Sequence, residues 1–181
     1  KKTGARLNVF HISTAKELSL FNNKIQLKDK KITAEVCAHH LWFTDNDYKK
    51  LGSKIKWNPA IKSRNDRDSL WSAISDDRVD IIASDHAPHT EEEKNTKYLN
   101  CPSGGPMVQH TILSLLQNCD NYGVSIEKIV EKISHNPATI FEVNKRGFLR
   151  EGYYADVVLI DPNSSTRVTK DSLLYKCGWS P

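Results

Sequence analysis

No part of this sequence is apolar for long enough to cross a membrane as a helix. The longest apolar runs, residues 79–83 (VDIIA) and 155–160 (ADVVLI), each contain an aspartate and fall far short of the roughly 20 residues a span needs. A membrane partner is not expected. Cysteine is sparse: Cys37, Cys101, Cys119 and Cys177 lie far apart with no C-x-x-C pair, which excludes a locally assembled zinc knuckle or dithiol redox motif. Reduced thiols in a cytoplasmic protein are the expectation. A large excess of charge of one sign is missing too. The 26 basic residues stand among 22 acidic ones, the net charge is +4, and no basic stripe interleaved with aromatics appears, so nucleic acid is not an expected partner. Behind the basic residues 1–6 there is no apolar core of a signal peptide. The chain opens without Met and stops at Trp179-Ser180-Pro181 with no evident terminal element, so a chain cut at both ends is expected. No repeat or low-complexity stretch occurs. What is present, 38% hydrophobic and 27% charged residues over 181 positions, suits one core-bearing domain of modest size.

Short strand-like and helix-like stretches alternate along the chain. Residues 6–12 (RLNVFHI) predict a strand, after which Ser13 or Thr14 can cap a helix over 15–21. Residues 31–38 (KITAEVCA) predict a second strand ending in His39-His40, and Thr44-Asp45 then cap a short helix that Gly52 stops. A brief strand is expected at 54–57, closed by Asn58-Pro59. Leu70, Trp71 and Ile74 mark a helix over 66–74, and 78–84 (RVDIIAS) reads as a buried strand. This alternation argues for βαβ units and a parallel sheet, part of either a barrel or an open sheet. Residues 85–105 are polar and turn-rich, and a loop of that length inside a compact domain is usually functional. Helices are expected at 106–117, 125–134 and 136–141. From Gly147 the texture changes to turn glycines and a β-run at 155–160, the entry to a separate β-rich segment.

The polar residues His11, His39-His40, Asn58 and Asp85 all fall at or just past the C-terminal ends of consecutive predicted strands. In parallel α/β folds that edge is where ligands and catalytic groups collect, because the loops there vary while the strands hold their roots. Imidazole nitrogen and carboxylate oxygen suit a divalent metal, so His11 and Asp85 are candidate ligands. Taken singly, neither requires one: a His after a strand is commonly a hydrogen-bonded structural residue, and an Asp there a turn former. Asp85-His86-Ala87-Pro88-His89 is denser, with one carboxylate and two imidazoles on a loop stiffened by proline. Adjacent residues point in different directions, so at most one of His39 and His40 can face a shared site, and packing or supporting hydrogen bonds account for both. The Ser103-Gly104-Gly105 turn is a weak anion loop, since no Lys-Ser/Thr pair follows it. His110 and His135 read as a helix-face and a helix-end residue.

Taken in order, these residues resemble the dihydroorotase family of the amidohydrolase superfamily, the long-chain bacterial type in particular. His11-Ile12-Ser13-Thr14 is similar to the family's H-[VI]-S-[TS], and 33–41 (TAEVCAHHL) to T-A-E-V-x-P-H-H-L. Residues 56–62 (KWNPAIK) resemble K-x-N-P-P-L-R, and 82–90 (IASDHAPHT) with Glu92-Glu93-Lys94 resemble I-A-T-D-H-A-P-H-T followed by E-E-K. Asn136-Pro137-Ala138 and Gly152 with Ala155-Asp156 continue the match. Lys62 stands where the family has Arg, and Ala38 and Ala60 replace prolines.

The resemblance implies an α/β chain forming the C-terminal part of a (β/α)8 metal-dependent hydrolase barrel over 1–146, with 147–181 a segment of a composite β-sandwich. It implies two zinc ions that activate water for attack on a cyclic amide, with His11 and Asp85 as ligands and Asp85 also carrying the proton. Asn58, His89, Pro102 and Gly104 match substrate-holding positions. The implied reaction is the reversible hydrolysis of dihydroorotate to N-carbamoyl-aspartate in pyrimidine synthesis, by a homodimer in the full-length protein. The family's H-x-H ligand pair, bridging ligand and a further His belong upstream, and no H-x-H occurs in these 181 residues. The chain alone is therefore expected to be inactive and to expose apolar strand edges. An allantoinase or dihydropyrimidinase is the nearest enzymatic alternative, and a non-catalytic scaffold with the same fold the alternative of another class.

Overall fold

Three short parallel strands, β1 (Leu7–Val9), β2 (Ile32–Cys37) and β3 (Ile81–Ala83), form a sheet of order β1-β2-β3 in the computed structural model, which describes residues 2–181. The pairing register runs Leu7 to Ile32 and Glu35 to Ile81, so β2 is shared between two neighbours along its length. Side chains alternate across a strand, and β2 divides cleanly: Ala34 and Val36 are fully buried in the apolar core. Thr33, Glu35 and Cys37 take the other face, where Thr33 donates to Asn8 at 2.7 Å and Asn8 to Glu35 at 3.3 Å.

Helices cover the apolar face. Along the chain they are α1 (Ala38–Trp42), α2 (Tyr48–Leu51), α3 (Arg64–Ser75), α4 (Glu91–Lys94), α5 (Thr111–Cys119), α6 (Ile126–Val130) and α7 (Asn136–Ile140). Ser63 caps α3 through a reciprocal pair with Asp66, and Leu70, Trp71 and Ile74 meet Leu115, Cys119 and Ile129 of α5 and α6 against the sheet. A second apolar cluster, Ala38, Phe43, Ile55, Trp57, Ile61 and Met107, lies beneath the loops at the C-terminal edge of the sheet. It forms the floor on which those loops rest.

The chain is thus α/β with a parallel sheet, but several expected elements differ. Residues 16–20 make a 3-10 turn rather than an α-helix, because the Glu17 carboxylate takes the amides of Ser13 and Thr14 at 3.0 and 2.8 Å. The strand expected at 54–57 does not form. Its amides and carbonyls serve a turn and a loop: Lys56 N–H donates to Ser53, and the Lys56 carbonyl accepts from Gly104. The helix expected from 106 begins at Thr111, since the Met107 and Val108 amides donate instead to His86 Nδ1. The long loop is itself structured, with α4 inside it and a bridge between His86 and Gly105. The β-run at 155–160 pairs with nothing among the described residues, and Leu159 is 97% exposed. β-propensity without a neighbouring strand leaves extended backbone and no ladder. Farther on, the chain returns to the sheet's loops: Tyr175 accepts from the Gln109 amide, and Trp179 is buried with its indole N–H on the His89 carbonyl at 2.7 Å.

Candidate functional site

The site is built on the ends of the three strands. After β1 the Ile12 amide donates to the Glu35 carbonyl at 2.9 Å and its side chain enters the core, which forces His11 into the left-handed region at φ 39°. Asp85, just beyond β3, holds φ 45°. Non-glycine residues occupy this region at a cost of about 1–3 kcal/mol when the surroundings dictate it. Both residues named as metal ligands from the sequence are held this way.

β2 runs straight into α1, and that junction places the imidazoles. His39 is fully buried, its ring stacked on Trp57 with centroids 4.4 Å apart, and its Nε2 lies 3.9 Å from the Asp85 carboxylate. Neither ring nitrogen of His39 has a hydrogen-bond partner. The His40 ring lies beside that of His39, with centroids 4.3 Å apart. Its Nε2 is 3.0 Å from the Pro59 carbonyl, which can only accept, so Nε2 carries the proton and the buried Nδ1 is a bare lone pair. Burial drives the titration of both rings: His40 is lowered to about 4 and His39 well below the ordinary histidine value. Both are neutral imidazoles at neutral pH.

The face of β2 turned away from the apolar core adds two acids to the same edge. Burial raises the Glu35 carboxyl, an effect that Asn8 and the nearby His11 partly oppose and Asp85 reinforces. Burial, then the charges of Asp85 and Glu35, push the Cys37 thiol far up, so it stays protonated. Ligand atoms of Cys37, His39 and His40 lie within 4.8 Å of one another. His11, Glu35, Cys37, His39 and Asp85 therefore form one electrostatically connected group, an arrangement that favours a cation over an anion.

The remaining sequence-named residues sit on two loops beside it. Asn58 follows the Trp57 that stacks on His39 and is exposed at the rim. His89 places Nε2 3.1 Å from the Ser103 carbonyl and Nδ1 3.4 Å from the Glu93 carboxylate. Gly104 adopts φ 118°, and a Cβ there would meet the Ala87 carbonyl oxygen at 2.6 Å, so only glycine fits. Its N–H is engaged by the Lys56 carbonyl and is not free for an anion. Pro102 precedes it with its carbonyl directed inward to Lys94. No direct bond links His11 to Asp85. What joins the set is a run of contacts, Asp85 to His39 to Trp57 and His89 to Ser103 to Gly104 to Lys56.

Two participants, Glu35 and Cys37, were not named from the sequence as site residues, and His39 was named only as a supporting one. Glu35 and Cys37 were readable in principle, since alternation from Thr33 puts both on one face of a strand that ends at the site. The contact of His39 with Asp85 was not, because it spans 46 positions. His135 ends a helical turn as expected, stacked on Phe148, whereas His110 precedes α5 and does not lie on a helix face.

Comparison with known proteins gives a consistent picture. The Amidohydrolase family model matches residues 7–175. A dihydroorotase from Endomicrobium trichonymphae is 37% identical over 181 residues, covering 99% of this chain and 42% of that protein. The L-hydantoinase (dihydropyrimidinase) from Arthrobacter aurescens is similar in structure, with a TM-score of 0.78 and 26% identity over 85% of this chain and 35% of its own. The dihydroorotase of Saccharomyces cerevisiae in complex with 5-fluoroorotic acid shares the fold at a TM-score of 0.68, with 23% identity over 75% of this chain and 38% of its own. The chain spans about two-fifths of the length of the curated relative it matches. With the family model matched across all three strands and both site loops, this chain belongs to the amidohydrolase family.

Proposed function

We propose that this chain is part of a dihydroorotase, supplying three strands of its barrel and the substrate loops that follow them. One observation carries the reading: three consecutive parallel strands deliver His11, Cys37 with His39, and Asp85 to a single edge, in a chain whose relatives include dihydroorotases. The barrel is supported by the sheet itself, because helices cover one face while the other carries Asn8, Thr33, Glu35 and Cys37. A parallel sheet is normally covered on both faces, and the inward face of a barrel meets that requirement. We assign 1–146 to the barrel and 147–181 to a segment of a β-sandwich whose last residues fold back over the loops.

The donor set fits zinc. His11 and Asp85 offer the nitrogen and oxygen such an ion prefers, and the buried, unpartnered Nε2 of His39 faces the carboxylate. Bound zinc, two ions in the full-length protein, would supply Lewis-acid activation of water and of the ring carbonyl. Asp85 would take a proton from the attacking water and return it to the leaving amide nitrogen. Asn58, His89, Pro102 and Gly104 would hold dihydroorotate, or N-carbamoyl-aspartate in the reverse direction. A homodimer is expected because two-fold assemblies are the commonest closed form, and a cytoplasmic location fits four cysteines that are all unpaired.

The test is an assay of the full-length protein with dihydroorotate, allantoin and hydantoin. Turnover of dihydroorotate is expected; turnover of hydantoin alone would transfer the assignment to the dihydropyrimidinase type. The scaffold alternative predicts an upstream sequence without H-x-H and no turnover of any of the three. These 181 residues by themselves are expected to be inactive, because His11 and Asp85 cannot complete a four-coordinate catalytic site. Calorimetric titration showing two tightly bound zinc ions per chain would overturn that.

A further inference from the structure

Lys94 is fully buried, at 0% exposure, as is Lys132 at 1%, but Lys132 has the Asp77 carboxylate at 2.6 Å. Lysine is almost never fully buried unless paired. No carboxylate lies within ion-pair distance of it among the described residues; its Nζ donates instead to the carbonyls of Gly104 at 2.8 Å, Pro102 at 3.0 Å and Lys56 at 3.3 Å. Three carbonyls need three N–H donors, and only the ammonium form supplies them. The Lys94 carbonyl is tied as well, accepting from Ser53 Oγ at 2.5 Å.

The three carbonyls belong to the two loops that carry the proposed substrate contacts. Lys56 stands two residues before Asn58, and Pro102 and Gly104 are substrate candidates themselves. Lys94 is also tied to His89: α4, a four-residue helix capped reciprocally by Thr90 and Glu93, begins two residues after His89 and ends at Lys94. Around this point the loops lock together. Gly104 N–H donates to the Lys56 carbonyl at 2.9 Å, and Gly105 packs so closely on Trp57 that a Cβ would approach the ring to 2.8 Å. Trp179 closes over the same place, its ring 5.9 Å from the ammonium.

We propose that Lys94 is a positioning residue for substrate binding: one buried ammonium fixes Asn58, His89 and the Pro102–Gly104 backbone relative to each other before substrate arrives. This rests on the dihydroorotase reading. Burying a cation without a counter-ion costs several kcal/mol, and neutral packing by a methionine of similar length would fill the space without that cost. What methionine cannot do is hold three carbonyls at one point. Loops so held present a preorganised surface, and substrate misplaced by about 1 Å when they loosen can lose about 100-fold.

The experiment uses the full-length, zinc-loaded protein and Lys94→Met. A rise in KM for dihydroorotate of about tenfold or more at unchanged zinc content supports the proposal, since uniform binding is lost while the metal edge is untouched. KM within twofold of the parent in a folded variant overturns it, and so does a fall in kcat accompanied by zinc loss at constant KM. Hydrogen exchange on the unsubstituted protein decides the matter even where Lys94→Met does not fold. Without ligand, the Gly104 amide is expected to exchange far more slowly than those of the exposed residues 95–100; equal rates would mean that the loops are not held. Should the parent fail to turn over dihydroorotate, the functional reading falls, while the exchange pattern still judges the staple independently.

Discussion

The two edges of the same three-stranded sheet treat their buried polar groups in opposite ways. At the N-terminal edge every group is answered. Lys30 Nζ lies 2.6 Å from one Asp80 oxygen while the other accepts the Ala34 amide at 3.0 Å, and Asn136 donates to the Asp80 carbonyl at 2.8 Å. Lys132, also buried, reaches Asp77 at 2.6 Å. At the C-terminal edge His39 has two unpartnered nitrogens and His40 one. Left-handed backbone does not separate the edges, since Asp77 at φ 65° matches Asp85 at φ 45°. Satisfaction does. Buried polar groups that are fully paired hold a fold together, whereas unpaired ones are tolerated where a ligand or a reaction uses them.

The comparison is sharpest if carboxylates at the two edges are removed in turn from the full-length protein. Asp85→Asn is expected to lower turnover by roughly 100- to 10,000-fold, the range associated with a positioned proton carrier, while thermal unfolding changes little. A loss of stability as large as that of an N-terminal variant would break the comparison. Asp80→Ala should do the reverse. Its side chain and that of Lys30 are almost wholly buried, so stranding the lysine is expected to cost about 3–5 kcal/mol in denaturant unfolding, with turnover per folded molecule unchanged.

The third effect is smaller and depends on pH. The folded-state pKa of His40 lies near 4, below the ordinary 6.5, so the unfolded chain binds the proton first. The stability that neutral His40 represents is complete above about pH 6.5 and declines as pH falls toward 4, by at most about 1.4 kcal/mol per pH unit. Urea midpoints measured across that window should show a shallower acid limb for His40→Gln than for the parent. Parallel limbs would mean that the ring does not titrate with unfolding.

Much of this molecule can be read one element at a time. The β1 and β2 positions follow from the strand-like runs 6–12 and 31–38, α3 from Leu70, Trp71 and Ile74 at helical spacing, and the stop of α2 from Gly52, whose φ is 53°. His11 and Asp85 were legible for the same reason, as polar residues directly after apolar strands. The two strands that did not form share one physical origin. Residues 54–57 and 155–160 have strand-like composition, yet a strand exists only when a neighbour takes its amides and carbonyls. Those of Lys56 were taken by Ser53 and Gly104, and those of 155–160 by no strand.

Asn58, His89, Pro102 and Gly104 were named through the family resemblance; the sequence by itself determined the α/β alternation and the strand ends that carry His11 and Asp85. These are local properties, set by periodicity, capping and turn chemistry within a few residues. Only the tertiary structure decided that His39 faces Asp85 while His40 turns to Pro59, and that Lys94 lies buried under three carbonyls from two loops. A charged residue in an acidic helix reads as solvent-exposed in any window of sequence. Its burial depends on carbonyls 8 to 38 positions away, and packing alone brings them to one point.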